Sequence, residues 1–203
     1  MKNLILIFIL FTSSINQIKS QSVKIDNIKN STLLIKLTTN EHLINYHINN
    51  EDFEKAELIR INQKTENEQI ISAFKQSWSS CKVYFFYSHH TSQIKNKKLD
   101  YVFKDINETK LNDLEKKELS NHQKKLQLII GHFGQTNGTL KFNALVLMDH
   151  EFKQFEKTIP KYVRTYKGLW FLKRTPTKVV EILEKKNNLA LFKITRKLFL
   201  KNI

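Results

Sequence analysis

Apolar and polar positions follow two different periods along this chain, and the periods predict strands and helices in alternation. Residues 31–39 (STLLIKLTT) form a short apolar run rich in branched side chains, which predicts a buried strand. Residues 82–88 (KVYFFYS) are apolar on both faces and predict a second strand, central in its sheet. Between them, apolar side chains near a 3.6-residue period over 49–79 predict a long helix, and its polar middle at 63–69 leaves open a break into two helices. Strand, helix and strand in this order outline a right-handed crossover.

The second half of the chain contains a hairpin signal. Two apolar runs, residues 126–130 and 140–148, stand on either side of the pair Asn137-Gly138. Asn-Gly between apolar runs is typical of a turn because both residues tolerate positive φ. We therefore expect two antiparallel neighbours here, which makes the sheet mixed.

The end of the chain predicts one more strand and one more helix. Residues 162–166 (YVRTY) follow a proline and predict an edge strand. Thr175 is a favourable N-cap and Pro176 a favourable first helical residue, and the asparagines at 187–188 are expected to end that helix. Residues 21–188 therefore predict a single α/β domain, with a mixed sheet of about five strands and helices packed on it.

The first twenty residues have the layout of a secretory signal peptide. A positive start at residues 1–3 precedes an uninterrupted apolar run at 4–11, and a polar region follows that ends near Ser20. Eight apolar residues span about 12 Å as a helix, against about 30 Å of bilayer hydrocarbon, so no membrane anchor is expected after cleavage. The prediction is an exported protein, periplasmic or secreted.

Charge and cysteine content narrow the class of partner. The chain carries a net charge of +15, and +13 once Lys2 and Lys19 leave with residues 1–20. The excess is almost all lysine, scattered in small groups without interleaved aromatic residues, and this pattern argues against nucleic acid as a partner. An anionic envelope surface, such as lipid headgroups or acidic polysaccharide, remains open beside a merely solvated basic surface. The single Cys81 allows no internal disulfide and is expected to be buried and inert.

Several segments together resemble a known family. The STLLIKLTT strand, the long helix after it, the VYFFYS and FNALVLMD strands and the IPKYVRTY to TPTKVVEILEKK ending resemble an uncharacterised family of exported α/β proteins of Bacteroidetes type. The resemblance covers most of residues 25–187. It implies export and a single α/β domain, and it brings no known activity or site residue.

Histidine and acid residues directly follow two predicted strands. His89 and His90 come after the second strand, and Asp149 and His150 come after the last strand of the hairpin. Ligands of α/β sheets favour the crevice at the carboxyl ends of strands. If these two strands are parallel, imidazole and carboxylate meet in an acid/base site or a zinc-type site with His90 and His150 as ligands. The alternative is a set of surface histidines in loops, and the hairpin places His132 away from the cluster.

The C-terminal segment has a composition of its own. Residues 189–203 (LALFKITRKLFLKNI) combine large apolar side chains with Lys193, Arg196 and Lys197. As a helix, the segment is apolar over a broad face with the cations on the other, which suits binding to an interface or docking. The alternative is a terminal element that covers the core of its own domain.

Together these patterns favour an exported, non-enzymatic protein that binds a partner or an anionic surface in the cell envelope, without a cofactor. Nucleophile-elbow and phosphate-loop motifs are absent from the sequence. The alternative is a hydrolase or metal-dependent enzyme built on the His/Asp residues at the strand ends.

Overall fold

Five strands form one mixed sheet in the computed structural model, which describes residues 30–155, 160–166 and 172–199, with side chains as far as Leu189. The strands are β1 (Thr32–Leu37), β2 (Lys82–Tyr87), β3 (Leu128–Gln135), β4 (Asn143–Met148) and β5 (Tyr162–Arg164). Their order is β2-β1-β3-β4-β5. β1 pairs parallel with β2 and with β3, whereas β4 is antiparallel to β3 and to β5. The predicted mixed five-stranded sheet is confirmed.

Within the described ranges, five α-helices complete an α/β domain. They are α1 (Glu41–Asn49), α2 (Phe53–Ser77), α3 (Thr91–Lys95), α4 (Asp113–Lys124) and α5 (Pro176–Phe199). The helix α2 connects β1 to β2 and packs with α5 on one face of the sheet, in a core that includes Phe74, Phe85 and Leu183. The helices α3 and α4 lead from β2 to β3 across the other face, over a core that includes Phe86, Ile94 and Leu119.

The helix α2 runs without a break through its polar middle. Gln63 and Asn67 are buried, and they take the place of apolar residues because they meet backbone and amide groups at the carboxyl end of β1. The Asn67 side chain donates to the carbonyl of Thr38 at 2.9 Å, and Gln63 donates to Asn67 at 3.3 Å. Asn40, the left-handed residue before α1, donates to Gln63. A continuous helix is therefore compatible with a polar stretch that the sequence left ambiguous.

The strand β2 lies at an edge of the sheet, so its predicted central position is wrong. Its side chains are apolar on both faces because helices cover both faces of the sheet. Its outer edge is also covered, since Phe85 and Phe103 exchange backbone hydrogen bonds of 2.9 and 3.0 Å. The strand thus has the burial of a central strand with only one full strand beside it.

The hairpin of β3 and β4 is confirmed, with a longer connection than two residues. The amide of Thr136 donates to the carbonyl of Phe142 at 3.0 Å, and the Thr136 hydroxyl accepts from the Phe142 amide at 3.0 Å. Gly138 has a φ of 126°, a conformation that glycine adopts without strain. Leu140, predicted to lie on the strand, falls in this connection and is exposed.

The last helix begins as predicted and ends later. The Thr175 hydroxyl accepts from the Lys178 amide at 3.3 Å, as an N-cap should. The helix does not end at the asparagines of 187–188, because Asn187 is buried and donates to the Ser80 hydroxyl at 2.6 Å. No helix in the described part of the chain is long and apolar enough to cross a membrane. The predicted signal peptide at residues 1–20 lies outside the described residues.

Candidate functional site

The histidine and acid residues predicted to meet lie at opposite ends of the sheet. The strand β4 is antiparallel to β3, and β3 runs in the same direction as β2. The carboxyl ends of β2 and β4 therefore lie at opposite ends of the strands of the sheet. His89 and His90 follow β2 at the carboxyl end of the parallel strands, whereas Asp149 and His150 follow β4 at their amino end. The predicted pairing of His90 with His150 required parallel strands and is wrong for that reason. No group of three or more His, Cys, Asp or Glu is placed to hold a metal within the described residues.

The two histidines after β2 have local partners instead. The Nε2 atoms of His89 and His90 lie 2.9 Å apart, and Nδ1 of His89 lies 2.9 Å from a carboxylate oxygen of Glu41. The His90 ring stacks on Tyr101, with 4.0 Å between ring centroids. Burial, and then the adjacent His89, lower the pKa of His90. These contacts tie α1 to the loop after β2.

Asp149 organises the loop after β4. Its carboxylate accepts from the amides of Glu151 and Lys153, at 2.9 Å each, and its carbonyl accepts from the amide of Phe152 at 3.0 Å. Phe152 has a φ of 66°, a left-handed conformation that is unusual for a bulky side chain. The loop holds this residue so that its ring packs edge-on against Phe86, at 6.1 Å. Asp149 therefore positions an aromatic ring over the sheet.

Two bases stand side by side on the same face of the sheet. Lys36 near the end of β1 and His132 on β3 are register partners, so their side chains emerge on one face. Both side chains remain partly exposed. They lie in one cross-strand row with Phe86, Val146 and Tyr162. This row crosses the boundary between β1 and β3. The strand order reverses there, because β2 lies on one side of β1 and β3 on the other, and ligands of α/β folds favour such points.

The electrostatics of this pair are unfavourable without a counter-charge. Burial, followed by repulsion from Lys95, lowers the pKa of the Lys36 amine. Burial, followed by repulsion from Lys36, lowers the pKa of His132 to about 4. The Nδ1 atom of His132 is buried without a hydrogen-bond partner. In the described part of the chain, none of these three bases forms an ion pair with a carboxylate.

Aromatic rings and two further cations border the pair. The Arg164 guanidinium lies 3.8 Å from the centroid of the Phe142 ring, and that ring stacks on Tyr162 at 6.5 Å. The ammonium of Lys95 lies 5.3 Å from the centroid of Phe152. We call this surface the basic–aromatic face, and it consists of Lys36, Lys95, His132, Phe142, Phe152, Tyr162 and Arg164. The lysine and arginine groups of this face can bind carboxylate or phosphate groups, and partly exposed rings lie beside them.

A cleft on the opposite face has its cations already occupied. The cleft has a volume of about 380 Å³ between α2, β5 and the start of α5. The Arg174 guanidinium donates to the carbonyls of Arg164 and Tyr166 at 2.7 and 2.9 Å. The Lys173 ammonium lies 3.6 Å from Glu66. Arg174 therefore joins the segment before α5 to β5, and Lys173 pairs the same segment with α2.

Cys81 is partly buried rather than fully buried, and its surroundings are those of an inert thiol. Burial raises its pKa to about 12, and the thiolate required for nucleophilic attack is therefore scarce at neutral pH. The Trp78 indole donates to the Cys81 carbonyl at 3.0 Å, which fixes the turn into β2.

No protein-family model matches this chain, and comparison with curated proteins and with solved structures gives no significant match. The predicted surface-binding residues Lys193, Arg196 and Lys197 lie beyond the described side chains, although the backbone of α5 is helical there.

Proposed function

We propose that this chain is an exported, non-enzymatic protein that binds an anionic component of the cell envelope on its basic–aromatic face. The observation that carries the proposal is the adjacency of Lys36 and His132 on a partly exposed sheet face, with no carboxylate paired to either among the described residues. Burial and the neighbouring base both disfavour the protonated form of each of these two groups. An anion bound between them would offset that penalty and stabilise their protonated forms.

The shape of the surface favours an extended ligand. The rings of Phe142 and Tyr162 are partly exposed and stacked on each other. The Phe152 ring lies under the ammonium group of Lys95. Sugar rings pack on aromatic faces, while carboxylate or phosphate groups bind lysine and arginine. The common chemistry is an anionic group on a carbohydrate or headgroup, and it is present in acidic polysaccharides and in anionic lipids.

The alternative of a hydrolase or metal-dependent enzyme has less support. It relied on His89, His90, Asp149 and His150 in one cluster, and the strand directions separate them. Asp149 is engaged in three hydrogen bonds that shape its loop. Binding without catalysis is therefore the stronger reading of the described surfaces.

The test is a direct binding measurement with charged and neutral probes. Polygalacturonate, dextran, phosphatidylglycerol vesicles and phosphatidylcholine vesicles distinguish an acidic polysaccharide from an anionic bilayer. We expect binding to one anionic probe, weakened by 0.5 M salt because screening shortens the reach of each charge to a few Å. Single-stranded DNA is the competitor that tests for a nucleic-acid ligand.

Matched variants separate a specific face from general positive charge. Lys36→Gln and Arg164→Gln should each weaken binding about tenfold. Lys117→Gln removes the same charge from an exposed position on α4 and should leave binding unchanged. Equal losses in all three variants, or preferential binding of DNA, would contradict the proposal.

A further inference from the structure

Exposed apolar side chains are concentrated on α1 and the first half of α2. Of the twelve large apolar side chains that are exposed in the described part of the chain, six fall between Leu43 and Ile61. We call this surface the head patch, and it consists of Leu43, Tyr46, Ile48, Phe53, Leu58 and Ile61. Single exposed apolar residues are ordinary, whereas six of them on two helices that pack together form a surface that a partner could cover.

The head patch projects beyond the carboxyl ends of the parallel strands β1, β2 and β3. The helix α2 has 25 residues and is about 37 Å long, whereas a six-residue strand is about 20 Å long. The Asn67 side chain donates to the carbonyl of Thr38, just after β1 ends. The residues of α2 before Asn67 therefore lie beyond the carboxyl end of β1. The helix α1 packs back on this projection and buries Ile44 and His47. The outer sides of both helices are left without a described partner.

The helical segment that carries the head patch has a charge opposite to that of the whole chain. Residues 41–61 contain five carboxylates and two lysine or arginine residues, a net charge of −3, whereas the chain carries +15. An apolar surface with acidic residues around it fits an amphipathic helix of positive charge. The chemistry of the partner is thereby defined as a basic, apolar helix.

The C-terminal end of α5 has this chemistry. Residues 189–203 contain four cations, no acid and a majority of large apolar side chains. The backbone of α5 is helical through Phe199, about 18 Å beyond Asn187 at 1.5 Å per residue. Asn187, through its bond to Ser80, is the last of the α5 residues with a described hydrogen bond to the domain.

The direction of α5 carries this segment away from its own head patch. Lys173, three residues before α5, pairs with Glu66 of α2 at 3.6 Å, and Glu184 accepts from the hydroxyls of Ser79 and Ser80 just after α2 ends. The two helices are therefore parallel, and α5 leaves the domain at the amino ends of β1 and β2. The head patch lies at the opposite side, beyond their carboxyl ends.

We infer that residues 189–203 of one molecule dock on the head patch of a second copy of this chain. The contact joins two different surfaces, so the association is head to tail and builds a ring or an open chain of subunits. The inference uses neither the basic–aromatic face nor the proposed function.

The test uses the predicted mature chain, from residue 21, with one variant for each surface. The head variant carries Leu58→Asp and Ile61→Asp, and both positions are exposed, so the fold is retained. The tail variant carries Lys193→Glu, Arg196→Glu and Lys197→Glu. Light scattering after size exclusion at about 100 μM should show oligomers for the unchanged chain and monomers for each variant. Leu114→Asp, at an exposed position on α4, is the control and should still associate.

Mixing the two variants gives the decisive result. Each variant retains one intact surface, so an equimolar mixture should form a dimer and nothing larger. Association of the tail variant alone would show that head patches pair with each other, and would overturn the inference. Monomeric unchanged protein at 100 μM would also overturn it, as would binding to phosphatidylglycerol vesicles through residues 189–203 without any self-association.

Discussion

The imidazole of His132 lies directly against Gly134, two residues further along β3. A Cβ atom at Gly134 would stand 2.5 Å from the Nε2 atom of His132, closer than real contacts allow. The glycine therefore provides the space in which His132 lies beside Lys36. The composition of the basic–aromatic face depends on this residue without a side chain.

Substitution of that glycine should alter the face more than the fold. In Gly134→Ala we expect the His132 ring to turn away from Lys36 and anion binding to fall about tenfold, with a loss of unfolding free energy of about 1–3 kcal/mol from overpacking. Gly131→Ala is the control, since its Cβ would stand 2.5 Å from Cδ1 of Ile35 in the opposite core. It should lower stability without weakening binding. Binding assays and urea unfolding of both variants decide the point.

The low pKa of His132 predicts a defined pH dependence of stability. The pKa falls from 6.5 in the unfolded chain to about 4 in the folded protein, so the unfolded state binds more protons between these values. Above pH 6.5 the titration of His132 does not change the unfolding free energy. As the pH falls from 6.5 towards 4, the unfolding free energy decreases by up to about 3 kcal/mol. Urea unfolding between pH 4 and 8 should show this loss, and His132→Gln should flatten it. The exposed His42→Gln should retain the loss of the unchanged chain.

Asp149 is predicted to act on binding through the loop that it shapes. In Asp149→Ala the amides of Glu151 and Lys153 lose their acceptor, which costs about 1–3 kcal/mol of unfolding free energy. Phe152 can then leave its left-handed conformation, and anion binding should weaken severalfold. Glu151→Gln, which keeps the loop bonds to Asp149, should bind normally. Equal binding by Asp149→Ala and the unchanged chain would remove Phe152 from the face.

The buried amides of α2 should matter for stability. Asn67→Leu leaves the carbonyl of Thr38 without its donor, and we expect a loss of about 1–3 kcal/mol in unfolding free energy. Thr65→Leu, at an exposed position on the same helix, should change stability by less than about 0.5 kcal/mol. Thermal melting of the two variants compares them directly. A stable Asn67→Leu variant would show that water satisfies Thr38.

The architecture could be predicted because its signals are local. The apolar runs at 31–39 and 126–130 and the Asn137-Gly138 pair lie within a few residues of the structure that they indicate. The position of β2 could not, because burial on both faces is shared by central strands and by an edge strand covered through Phe103.

The site required information that sequence patterns do not hold. Lys36 and His132 are 96 positions apart and meet only through strand register. One signal was present: Lys36 is the single charged residue inside the run STLLIKLTT, where a strand covered on both faces would have an apolar one. The predicted His/Asp cluster depended on the condition that β2 and β4 are parallel, and the hairpin reverses the direction of β4.

The backbone exchange between Phe85 and Phe103 has a consequence for solubility. A chain with a single cysteine has no internal disulfide, and it must avoid joining other chains by strand addition, which starts at unpaired sheet edges. At one edge Phe103 occupies the central hydrogen-bonding positions of β2, and at the other β5 is only three residues long. Both ends of the described sheet are thus poor templates for a foreign strand. Self-recognition is left to helices, which can associate and separate without opening the sheet.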